Sequence, residues 1–69
     1  MNEFIPGDLV CVRETQRYPG RFGVVIGSGA WYLSELRGEE YVTVLVSLPG
    51  GSRRWNVRPE RLELINETR

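Results

Sequence analysis

Histidine and lysine are both absent from this chain of 69 residues, and cysteine, methionine and aspartate occur once each. Each absence removes a class of chemistry. Without histidine there is no Ser–His or Cys–His pair to activate a nucleophile. A lone cysteine, Cys11, cannot close an internal disulfide, and without histidine beside it the common zinc ligand sets are excluded. No apolar run approaches the ~20 residues of a membrane-spanning helix, and no charged-then-apolar leader opens the chain. The expectation is a cytoplasmic, non-enzymatic protein with no metal and no cofactor.

The remaining candidates for catalysis read as structural. Cys11 falls in the middle of a strand pattern, as a small packed residue. Asp8 follows Pro6-Gly7 and caps that turn. Glu39 and Glu40 are adjacent, so on a strand they face opposite ways and cannot act as an acid–base pair. One enzymatic route stays open: a symmetric oligomer that builds a pore from repeated weak groups.

What is present begins with a balance of charge, nine basic against nine acidic residues, and every basic one is arginine. Arginine offers planar, bidentate and stacking contacts that lysine does not. A zero net charge argues against generic nucleic-acid binding, which goes with a positive excess. The placement is uneven, however. Arg13, Arg17 and Arg21 dominate one segment, Glu35, Glu39 and Glu40 the middle, and Arg53, Arg54, Arg58 and Arg61 a later one. If the basic segments meet in space, they form a patch. At this length one domain is expected, with a thin core, since a chain of about 60 residues buries only ~60% of its unfolded surface.

Along the chain, Pro6-Gly7-Asp8 is a turn signal and residues 9–13 (LVCVR) read as a strand. Residues 15–20 form a polar loop ending in Pro19-Gly20, and 22–26 (FGVVI) read as a second strand. Gly23 inside it marks a bulge or a close approach of backbones, while Phe22 is expected as core at the mouth of the fold. Residues 28–40 (SGAWYLSELRGEE) form an excursion, either a short helical turn or a long hairpin arm. A strong strand follows at 41–47 (YVTVLVS), then a tight turn at Leu48-Pro49-Gly50-Gly51 and a strand at 53–57. Residues 58–62 read as one helical turn with Pro59 at its first position, and 63–65 as a closing strand before a frayed tail. There is no internal repeat and no low-complexity tract.

Alternation places Val10, Val12, Val25, Val42, Val44, Val46, Trp55, Val57, Leu62 and Leu64 on one face. The opposite set, Leu9, Cys11, Val24, Ile26, Tyr41 and Leu45, is also mostly apolar. An antiparallel sheet with one solvated face alternates with polar residues there. Either the 28–40 segment folds back over that face, or a partner or a second copy of the chain covers it.

Taken together, these residues resemble the SH3-like small barrels of the KOW and Tudor type. GDLVCV at 7–12 is similar to their opening strand, PGRFGVVIG at 19–27 to the core of a KOW motif, and WNVRPERLELI at 55–65 to their last strands with the intervening 3-10 turn. The resemblance covers most of the chain outside 28–40. It implies an all-β, five-stranded SH3-like small barrel with one 3-10 turn before the last strand. KOW domains bind RNA or protein through the loop matching 15–21, but here that loop has no lysine. The chain is also similar in length to small SH3-like subunits that dock on photosynthetic and ferredoxin-linked complexes, and to short phage-encoded barrels. Type II dihydrofolate reductase, an SH3-like tetramer, ends similarly to LELIN, but its valine-glutamine-isoleucine-tyrosine motif has no counterpart here, so no catalytic residue is carried over.

Two binding surfaces follow. One combines Arg17, Tyr18 and Arg21 with Arg53, Arg54 and Trp55, provided the first loop and the last hairpin are neighbours. Arginine with aromatic rings suits a protein hot spot or stacking on bases. The other is an apolar face of Leu9, Val24, Ile26 and Leu45 with Trp31 and Tyr32, which favours protein. The expectation is a non-catalytic module that docks on a larger assembly, as a single copy or as a homo-oligomer. A KOW-like nucleic-acid-binding module is the alternative, and an oligomeric small-barrel enzyme a further one.

Overall fold

The computed structural model describes residues 4–17, 19–31 and 38–66. It is all-β: β1 (Leu9–Val12), β2 (Arg21–Ala30), β3 (Glu40–Leu48), β4 (Gly51–Val57) and β5 (Leu62–Asn66), with a 3-10 turn over Pro59–Arg61. One antiparallel sheet carries them in the order β4-β3-β2-β1-β5. β4 and β5 are its edges, so the sheet is open among the described residues, and the expected closed barrel is not formed by its ladders. Among those residues no helix is long and apolar enough to cross a membrane.

The valine alternation becomes the core. Val10, Val12, Val25, Val42, Val44, Val46, Val57 and Leu62 are all buried, with Phe4, Leu48 and Trp55 packed against them. Valine is stiff at χ1 and fits a pleated surface. Leu64 keeps the inward register, opposite Val10, but remains 37% exposed at the β5 edge. Phe22 departs from expectation outright: it is 61% exposed on the other face, not core. The reason is parity. Gly23 and Val25 point inward opposite Val10 and Val44, so the residue before Gly23 must point out.

The glycines divide by role. A Cβ on Gly23 would stand 2.5 Å from Val44 Cγ1 and 2.7 Å from the Leu45 carbonyl oxygen, so it permits a close approach of β2 to β3. The bulge lies elsewhere, between Val25 and Gly27, where Ile26 has no partner in the ladder. The two ends of the 28–40 excursion pair as a hairpin arm, Ser28, Gly29 and Ala30 with Val42, Tyr41 and Glu40, while 32–37 lie outside the described residues. Beyond them the Trp31 N–H donates to the Glu39 carbonyl at 3.0 Å, and the Gly38 N–H to the Trp31 carbonyl at 3.1 Å. At the start of the chain, Asp8 is fully buried and its Oδ2 accepts the Ile5 N–H at 3.0 Å, closing the turn in which Gly7 has φ +98°. The cap expected of Asp8 is made.

Candidate functional site

A groove of about 660 Å³ opens where the end of β1, the first loop, the end of β4 and the 3-10 turn converge. Its cationic lining is Arg13, Arg54, Arg58 and Arg61, and its aromatic lining is Trp31 and Trp55; Val12, Pro19, Asn56 and Val57 complete it. Among the described residues no carboxylate lines it.

Backbone ladders set these positions. The Arg13 N–H donates to the Arg61 carbonyl at 2.9 Å, which ties the exit of β1 to the 3-10 turn. Arg61 Nη2 reaches back to the Arg13 carbonyl at 3.5 Å, a long contact that keeps its guanidinium beside the groove. The Arg61 N–H in turn donates to the Arg58 carbonyl at 2.9 Å, the bond that winds the turn. Pro59 at the head of this turn fits because its missing N–H has no partner to lose. Arg58 lies in extended backbone just before it and pairs with Glu39 at 3.0 Å, both side chains nearly half exposed. That pair is worth at most about 1 kcal/mol, and it brings a neutralising acid next to the groove.

The tryptophans arrive by different routes. Trp55 sits opposite Val44 on the inward face of edge strand β4, half-buried against the core, leaving part of the indole to the groove. Trp31 ends the β2–β3 arm, with its ring 4.9 Å from that of Tyr41 at an interplanar angle of 57°. Tyr41 is held over Gly29, where a Cβ would lie 2.5 Å from the tyrosine hydroxyl. Gly29 thus gives Tyr41 the space from which it supports Trp31.

The structure regroups the residues singled out from the sequence. Arg54 and Trp55 line the groove, joined by Trp31, which had been assigned to the apolar face. Arg17 is exposed in the first loop, its N–H donating to Thr15 Oγ1 at 3.3 Å, and does not line the groove. Arg21 stands opposite Val12, half-buried, and Arg53 opposite Val46, exposed; neither is in the lining. Tyr18 and Tyr32 lie outside the described residues. Arg13, Arg58 and Arg61 were missed as site residues although they belong to the two basic segments. Those segments do meet, and the available signal was their position flanking strand ends and the 3-10 turn.

The second surface is the outer face of the sheet. Leu9, Val24 and Leu45 stand side by side on β1, β2 and β3, exposed by 36, 38 and 38%. Phe22 adjoins them opposite half-buried Cys11, and Ile26, 40% exposed, sits in the bulge. Arg54 flanks this row on β4, and Glu63, opposite Cys11, lies on β5. Among the described residues no group of three or more His, Cys, Asp or Glu could hold a metal ion. No family model, curated protein or solved structure matches the chain.

Proposed function

We propose that the chain is a non-catalytic interaction module of SH3-like kind that docks on protein through the outer face of its sheet. The strand order, with β1 between β2 and β5 and a 3-10 turn leading into β5, is consistent with that class of small barrel. The observation that carries the functional reading is the continuous apolar row Leu9–Val24–Leu45 with Phe22 beside it, all exposed. Contiguous apolar surface of this sort marks interfaces.

The occupant that fits is a second copy of the chain. The molecule measures 33 × 32 × 19 Å, so a broad face has room for the ~800 Å² per partner of an ordinary stable interface. Two such faces related by a two-fold axis along the strands lay the β4 edge of one copy over the β5 edge of the other. Arg54 of each copy then lies over the edge that carries the other's Glu63, and opposite charge flanks the apolar centre on both sides.

Light scattering over a wide concentration range tests this. A dimer that Val24→Arg converts to a folded monomer supports the reading. A wild-type chain that is monomeric throughout and binds no apolar dye overturns it.

A further inference from the structure

We infer that the groove between the end of β1 and the end of β4 is a binding site for single-stranded nucleic acid. It shares none of the apolar residues of the outer face and only Arg54 with the docking surface, so it goes beyond the docking reading, and variants that leave Arg54 in place test it separately.

The argument starts from charge. The chain is neutral overall, yet four arginines line one groove, with no carboxylate in that lining among the described residues. Like charges gathered in this way repel one another, and an anion entering the groove relieves that repulsion. Arginine fits phosphate with two parallel N–H donors. The second requirement comes from the rings. The chain has two tryptophans in all, and both line this groove. Trp55 packs against the core and Trp31 against Tyr41, and both contribute to the groove's lining.

A ligand that satisfies both sets must carry anionic groups and flat faces on one flexible strand. An acidic peptide meets the arginines and leaves the indoles without a flat partner. A duplex meets the arginines and keeps its bases stacked inside. A single strand offers phosphates to the guanidinium groups while its bases stack on the rings, a mode that tolerates any sequence. The groove's ~660 Å³ lies in the ordinary range for a bound ligand, enough for a short segment of strand rather than a long tract. Glu39, paired with Arg58, sits at its margin and competes with phosphate for that arginine.

Because the only tryptophans are in the groove, their emission reports its occupancy without a label. The experiment titrates the full chain with a ten-nucleotide oligothymidylate and a ten-nucleotide oligouridylate at low salt. The expected result is saturable quenching, with log affinity falling against log salt at a slope of about −2 to −3, as three or four phosphate contacts on a single strand give. The double variant Arg13→Ser/Arg58→Ser, checked for fold by circular dichroism, should bind roughly ten-fold or more weakly. Arg17→Ser, an exposed arginine outside the groove, should stay within about two-fold of wild type and controls for loss of charge alone. Glu39→Gln should tighten binding by about two- to five-fold, the worth of an exposed ion pair. Absence of saturable quenching at low salt overturns the inference. So does equal affinity for a duplex of the same length, or for an oligoglutamate peptide, which would make the groove a site for acidic protein segments.

Discussion

Val44 and Leu45 are neighbours on one strand, similar in chemistry and opposite in fate: the first is fully buried and the second is 38% exposed. The contrast holds across the two faces of the sheet. The inner face is built almost wholly of valine, while the outer carries leucine, isoleucine and phenylalanine. Hydrophobicity therefore does not separate them; strand parity does, as Val24 outward and Val25 inward on one strand show. The inward side chains of a small sheet share a narrow interior, which Gly23 narrows further by letting β2 approach β3. Short β-branched residues fit there in a single rotamer. On the outer face Leu9, Ile26, Leu45 and Phe22 keep between 36 and 61% of their surface exposed, where a second molecule can bury it.

The contrast can be broken most severely from inside. Val44→Ala should destabilise by about 2–3 kcal/mol, the lost transfer energy plus an unfilled cavity. In a domain of this size that lowers Tm by on the order of 10 °C, measurable by thermal and urea unfolding. Leu45→Ala, one residue away, should stay within about 0.5 kcal/mol when measured on the dilute monomer. Equal losses at the two sites would show that the outer face is buried in the unit that unfolds.

Gly23→Ala tests the closeness of the inner packing and should cost about 2 kcal/mol, since its methyl group meets Val44 Cγ1 and the Leu45 carbonyl oxygen together. Urea midpoints of Gly23→Ala, Val44→Ala and the double variant form a cycle. Removing the valine methyls relieves one clash and leaves the carbonyl. The double variant should therefore lose less than the sum of the singles, without matching Val44→Ala alone.

Gly29→Ala should be milder, about 0.5–1.5 kcal/mol, the worth of an aromatic pair. Its methyl group strikes the hydroxyl end of Tyr41, which can swing aside at the expense of the contact with Trp31. The sign of this event is a change in near-ultraviolet circular dichroism larger than the change in stability. An unaltered aromatic spectrum would show that Tyr41 does not hold the Trp31 ring.

The period-two valines made the core legible in the sequence, as proline and glycine did the turns and the 3-10 segment. Phe22 shows where residue type misled: its bulk suggested core, although the parity set by Val25 already pointed it outward. Ile26 shows what was out of reach, because its bulge depends on the register between β2 and β3, a long-range choice that no local pattern encodes. The arginines divide the same way. Their clustering into two segments could be read directly, but which of them share a groove follows from how Arg13 bonds to Arg61, across most of the chain. Arg17 and Arg21 were singled out for standing beside a corner; Arg58 and Arg61 were counted in the later basic segment but not among the site residues, and they line the groove.

The smallest expected change in stability is also the sharpest test of the two-face contrast. Phe22 is the most exposed large apolar residue described, at 61%, so Phe22→Ser in an isolated chain should shift the unfolding midpoint by no more than about 0.5 kcal/mol. Opposite Cys11 and beside Val24, it nevertheless extends the row proposed to pair two copies. A ring of that size in an interface contributes far more than it does on a free surface. The measurement pairs denaturation at low concentration with light scattering at high concentration. An unchanged midpoint with a dimer weakened ten-fold or more would place the energy of Phe22 between molecules. A large stability loss even in the dilute monomer would mean that the outer face is held within one chain, and the two faces of this sheet would then differ less than their exposures imply.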